Sequence, residues 1–177
     1  DRHEAMLRAA LANQSVPIRA VLRRDKSLTQ PRRHLGLVPA NERADLEPWL
    51  GRLADWVSGA CAPKALLSDW ETAQAPQADL NPPAQTIAIA QDIAFSFIYP
   101  HLLKAWRQGG AELRFFSPLN DDPVPECDLV FLPGGYPELH AGRIAANRTF
   151  IETLRNAPQS TDIYDECGGY MVLGDGL

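Results

Sequence analysis

The run Tyr164-Asp165-Glu166-Cys167-Gly168-Gly169 puts a thiol where an apolar strand-like stretch gives way to a helical one, with two glycines directly behind it. That is the layout of a nucleophile elbow carrying cysteine in place of serine. At such a bend the side chain stands clear of the backbone. The helix that follows aims amide N–H groups and the positive end of its dipole at the sulfur, which favours thiolate. Glycines after the nucleophile let a substrate approach closely. A thiolate attacking a carbonyl also needs donors for the oxyanion. The N–H of Gly168 is one candidate, and the Pro133-Gly134-Gly135 turn, free of obstructing side chains, offers the other. The chemistry this suggests is acyl transfer. The plainer alternative is that Cys167 is a small buried hydrophobe and the glycines only make turns.

The composition permits such a site in an ordinary folded chain. With 177 residues, 45% hydrophobic and 22% charged, the length suits one full domain and a piece of another, or two incomplete ones. A net charge of -5, from 17 basic and 22 acidic residues, provides no basic field for a nucleic acid. The longest apolar stretch is broken by Gln91, Asp92 and Ser96, well short of the ~18 residues a membrane helix needs. The start, Asp1-Arg2-His3-Glu4, lacks the order of a secretory signal, so a cytoplasmic chain with no membrane partner is expected. Cys61, Cys127 and Cys167 are odd in number and widely spaced, without zinc-type pairs, so at least one is a free thiol and no metal site is expected. A first residue other than Met, and a last segment that stops as a new element begins, suggest that both ends were cut from something longer.

The elements that must position the thiol follow from apolar patterning. Met6, Leu7, Ala10 and Leu11 mark the end of an amphipathic helix, and residues 17–22 read as a short strand. Asn41 reads as the N-cap of a helix carrying Leu46, Leu50, Leu53 and Val57. Residues 72–85, with three prolines and almost no large apolar groups, read as a linker between segments 1–71 and 86–177. Beyond it come strands over 86–90, 112–116, 128–132 and 161–164. They alternate with helices over 99–108, from Pro137, and from a cap at Asn147 to about Ala157. This rhythm predicts an α/β fold, a mostly parallel sheet with helices on both faces. Ligands of such sheets gather beyond the carboxyl ends of the strands, where Asp92, Gly134, Gly135 and Cys167 all fall.

Two longer stretches carry a family resemblance. Leu132-Pro133-Gly134-Gly135-Tyr136-Pro137-Glu138-Leu139-His140-Ala141 and Glu166-Cys167-Gly168-Gly169-Tyr170-Met171-Val172-Leu173-Gly174 resemble the class I glutamine amidotransferase domain of cobyrinic or hydrogenobyrinic acid a,c-diamide synthases. Asp92-Ile93-Ala94-Phe95-Ser96-Phe97, Tyr99 and Phe116-Ser117-Pro118-Leu119 occur in the same order as in that family. Arg33-His34-Leu35-Gly36-Leu37-Val38 resembles the end of its ATP-dependent synthetase domain. The resemblance implies a truncated flavodoxin-like amidotransferase domain, preceded by part of an α/β synthetase.

It further implies that Cys167 attacks the side-chain amide of glutamine and that Gly134, Gly135 and Gly168 serve the oxyanion and glutamine. The freed ammonia would then amidate the a and c acetates of a corrinoid at the expense of ATP and Mg²⁺. Asp92 would orient a loop or the glutamine, or merely cap a helix. Tyr136 would cover the glutamine site, or pack over the glycine turn. His34 with Arg33 would lie near ATP or be structural, and His140 reads as a solvent-facing helix residue rather than a base. The family's histidine base and phosphate loop fall outside the chain, so the segment is expected to be inactive alone, to bind no ATP or Mg²⁺ itself, and to need the missing synthetase and glutaminase segments as partners. A homodimer is compatible with this reading. Asp165 stands where the family has a small residue and would oppose the thiolate. Ile98 and Leu102 replace an expected aromatic and amide. Two alternatives stay open: another tetrapyrrole acceptor such as a nickel sirohydrochlorin, and a non-catalytic flavodoxin-like module with a redox-sensitive cysteine.

Overall fold

The computed structural model describes residues 1–15, 17–33, 36–67 and 80–174. His34, Leu35, residues 72–79 of the expected linker and the last three residues lie outside the described residues. The chain falls into two compact units, Asp1–Ala75 and Pro76–Leu177.

In the first unit, helix α1 (Arg2–Leu11) is capped by Asp1, whose side chain accepts from His3 N at 3.1 Å. A two-residue antiparallel pair follows, β1 (Arg32–Arg33) with β2 (Gly36–Leu37). Helices α2 (Leu46–Ala60) and α3 (Pro63–Leu67) complete it. None of its described residues is buried. Long side chains reaching backbone tie it together: Trp56 Nε1 donates to Arg23 O at 3.0 Å, and the Arg43 guanidinium lies 4.6 Å from the Trp49 ring centroid. Residues 17–22 form no strand: among the described residues none pairs with them, and a lone strand cannot satisfy its backbone. Asn41 lies in a 3₁₀ turn, Ala40–Glu42, and the helix starts later, after Asp45. Asp45 gives that helix no side-chain cap, its carboxylate being taken by Arg43 at 2.8 Å.

The second unit is an α/β sandwich with a flavodoxin-like layer order. Strands β3 (Thr86–Ala90), β4 (Glu112–Phe116), β5 (Leu129–Leu132) and β6 (Asp162–Asp165) form one parallel sheet in the order β4-β3-β5-β6. Residues of β3 and β5 alternate between two cores, as the two-residue period of a strand dictates. Ile87, Ile89, Leu129 and Phe131 pack on one face under Trp106 of α4 (Pro100–Gln108). Ala88, Ala90, Val130 and Leu132 face the other side, under Ile144 of α5 (Ala141–Ala146) and Phe150 and Leu154 of α6 (Arg148–Arg155). Each large apolar side chain so buried contributes about 1.5–3 kcal/mol.

Proline opens α4 and also the 3₁₀ turn Pro137–His140 that leads into α5, where its fixed φ suits a first turn. Asn147 precedes α6 but does not cap it. Its amide donates to Pro118 O at 2.6 Å and Leu119 O at 3.1 Å, while Asp121 accepts from Phe150 N at 2.9 Å and caps the helix from a distant turn. The chain runs from β3 outward to β4, then returns to place β5 and β6 on the other side of β3. The switch point between β3 and β5 therefore opens a crevice at their carboxyl ends, flanked by residues 91–97 and 133–136.

Candidate active site

Strand β6 ends at Asp165, paired with Leu132, and the chain turns at once into the short helix α7 (Gly168–Met171). Glu166 N donates to Leu132 O at 3.2 Å, and Gly169 N donates back to Glu166 O at 2.9 Å, closing the bend tightly around Cys167. Cys167 takes φ 51° and ψ -118°. A non-glycine residue in that region stores about 1–3 kcal/mol of strain, tolerated where its surroundings fix it. The residue is exposed, whereas Gly168 and Gly169 behind it are buried. The described part of α7 is a single turn, so backbone amides rather than a long helix dipole are what it presents to the sulfur.

The glycine turn lies against this elbow. A methyl group built on Gly134 would stand 3.1 Å from Cys167 Cβ, so the two loops meet side by side. Gly135 is pinned from the opposite side, where a Cβ would fall 1.9 Å from Ala94 O. Gly168 faces Pro137, whose Cδ would lie 2.5 Å from any Cβ there. At Gly135 and Gly168 a side chain would force its neighbours to move, and at Gly134 it would be a tight fit. Among the described residues, the N–H groups of Gly135 and Gly168 donate to no acceptor, although both residues are buried.

Asp92 is the hub of the loop above. Its Oδ1 accepts from Ala94 N at 2.8 Å and Phe95 N at 3.3 Å, and its Oδ2 from Ser117 Oγ and Leu119 N, both at 2.9 Å. It caps no helix. It ties the loop after β3 to the loop after β4. That loop is laid on the glycine turn by two main-chain bonds, Tyr136 N to Ala94 O at 3.0 Å and Phe97 N to Gly134 O at 3.0 Å. Tyr136 is buried, its ring edge-on to Phe97 at 5.4 Å and 81°. Beside them, Ser96 Oγ is buried without a partner among the described residues.

The structure thus brings together Cys167, Gly134, Gly135, Gly168, Tyr136 and the loop held by Asp92. His140 sits half-buried at the end of the 3₁₀ turn, Asp165 half-buried at the end of β6, and Arg33 pairs with Glu42 in the first unit. Phe97 and the Ala94 carbonyl were not evident as site residues from the sequence. The available signal was a large aromatic just beyond the carboxyl end of a buried strand. On the α4 face, a groove of about 310 Å³ runs between Tyr99, Leu102, Trp106, Phe131, Tyr164 and Glu166. Among the described residues no three His, Cys, Asp or Glu side chains gather to hold a metal, and no helix is long and apolar enough to cross a membrane.

Comparison with known proteins identifies relatives of the chain. Residues 86–177, more than half of the chain, match the family model described as the CobB/CobQ-like glutamine amidotransferase domain. A hydrogenobyrinate a,c-diamide synthase from Sinorhizobium is 49% identical over 184 residues, covering 100% of this chain and 42% of that protein. Proteins of the same name from Rhodobacter capsulatus and Brucella anthropi are 51% and 46% identical, over 98% and 99% of this chain and 40% and 42% of theirs. The chain spans about two fifths of the length of these relatives. No solved structure matches it.

Proposed function

The chain belongs to the CobB/CobQ-like glutamine amidotransferase family, and from that premise we propose that it is the central segment of a hydrogenobyrinate a,c-diamide synthase, with Cys167 as the nucleophile that frees ammonia from glutamine. The observation that carries the reading is the exposed, strained Cys167 against the glycine turn, with the N–H groups of Gly135 and Gly168 donating to no acceptor among the described residues.

In this reading the sulfur attacks the side-chain amide carbon of glutamine, and a C–S bond forms as the C=O π pair moves onto oxygen. The N–H groups of Gly135 and Gly168 take up that negative oxygen, preorganised because neither is otherwise engaged. Collapse of the intermediate breaks the C–N bond. The proton from the thiol leaves with the nitrogen as ammonia, and water then hydrolyses the glutamyl thioester to glutamate. A base must carry the proton, and in this reading it is a histidine of the full-length enzyme outside this chain.

Residues 1–71 are read as the closing part of a synthetase domain and 72–85 as its linker. The acceptor is taken to be a corrinoid whose a and c acetates are activated with ATP and Mg²⁺. The described residues offer no cluster for that metal. No step is assigned to them in acceptor activation.

In the full-length enzyme, Cys167→Ala is expected to abolish amidation supported by glutamine and to leave amidation supported by ammonia intact. Retention of glutamine-supported activity would overturn the assignment.

A further inference from the structure

The loop over the glycine turn is fixed at both ends, and it sets one aromatic ring against the same glycine that the Cβ of the nucleophile approaches. Its root is clamped by the four bonds to Asp92, and its tip by the antiparallel bridge between Phe97 and Gly134. On the bare side of Gly134 two side chains converge. A carbon placed there would touch Cys167 Cβ at 3.1 Å and Phe97 Cδ2 at 3.2 Å. One edge of the Phe97 system is settled against the ring of Tyr136, which is only 5% exposed, yet Phe97 itself remains 37% exposed. The protein therefore holds an apolar surface, open on one side, next to the carbon that carries the reactive sulfur.

We propose that Phe97 is a specificity-determining residue of this site, the wall against which the two side-chain methylenes of glutamine lie while the amide carbon sits at Cys167. The inference rests on the nucleophile assignment above and extends it to substrate choice. Between its charged α-carbon end and its amide, glutamine offers only two CH₂ groups. A flat hydrocarbon on the same side of Gly134 as Cys167 Cβ matches that stretch. Asparagine, one methylene shorter, forfeits either the ring contact or the reach to sulfur. Preordering the wall also spares the cost of arranging it when substrate arrives.

The test uses the full-length enzyme, with glutamine and ammonia as alternative nitrogen donors, comparing wild type, Phe97→Ala and Phe97→Leu. Losing contact to two methylenes predicts a rise of about tenfold in KM for glutamine in Phe97→Ala, with kcat little changed. Leucine, which restores an apolar surface, recovers most of it, and ammonia-supported turnover is the same in all three. An unchanged KM for glutamine in both variants overturns the proposal. So does a parallel fall of glutamine- and ammonia-supported rates in both, which is the mark of a merely structural ring. Cys167→Ala run alongside separates the two claims. If it keeps glutamine-supported activity, the nucleophile assignment fails. If it loses that activity while the Phe97 variants keep a normal KM, only the wall fails.

Discussion

The two rims of the parallel sheet are made from the same strands and are built to opposite rules. At the amino rim polar groups are paired: Thr86 N donates to Asp128 Oδ2 at 2.8 Å, Thr161 Oγ1 to Cys127 O at 3.1 Å, and Gln85 Nε2 to Gly110 O at 2.8 Å. The left-handed backbone needed there falls on a glycine, Gly110 at φ 92°. At the carboxyl rim it falls on Asp121 and Cys167, at φ 57° and 51°. There too lie the unpartnered Ser96 hydroxyl and the unclaimed amides of Gly135 and Gly168. Strain and unmet donors cost stability, and here they collect at one rim while the other is relaxed. That asymmetry is what the proposed reading expects of a preorganised site.

The sharpest way to break the comparison is to add one methyl group at each rim. Gly135→Ala forces a Cβ to 1.9 Å from Ala94 O, so the turn must move and carry its N–H off target. Glutamine-supported turnover is expected to drop about 10²–10³-fold, the scale of losing one oxyanion donor, while ammonia-supported turnover persists. Gly110→Ala meets nothing within 4 Å and suffers only its positive φ. It is expected to lower stability by about 1 kcal/mol in urea denaturation and leave both activities alone. Equal activity losses in the two variants would erase the distinction between the rims.

A smaller effect comes from the thiol of the quiet rim. Burial pushes the Cys127 thiol up from its ordinary 9.0, against weaker opposing hydrogen bonds. The native thiol then keeps its proton to higher pH than the unfolded one. Stability attributable to Cys127 is fully present below about pH 9, falls as pH rises through the native value, and then levels. Cys127→Ala is expected to flatten that stretch of a denaturation series between pH 8 and 11 without altering glutamine-supported turnover. An unchanged slope would show that the burial is not felt.

Most of the sheet was legible in the sequence because buried parallel strands are short continuous apolar runs. Thr86–Ala90 and Leu129–Leu132 are such runs, and the structure has strands at both. The elbow was legible for a local reason, a cysteine followed by two glycines at a strand end. What depends on distant partners was not. Residues 17–22 have the same apolar look as a strand but pair with no strand among the described residues. The cap of α6 comes from Asp121, 29 residues from the amide it receives, and no local pattern announces it. Asp92 drew notice for its place after β3, yet its partners Ser117 and Leu119 sit on another loop. Phe97 stayed hidden for the same reason, since its meaning lies in a bridge to Gly134.

The central claim is that Cys167, and not Cys61 or Cys127, meets glutamine. The most direct measurement exposes the full-length protein to a glutamine analogue bearing an electrophilic carbon at the amide position, then locates the adduct by peptide mass spectrometry. The account predicts a single adduct on Cys167, suppressed by excess glutamine. Labelling of Cys127 or Cys61 that competes with it, or no adduct that glutamine suppresses, would contradict it.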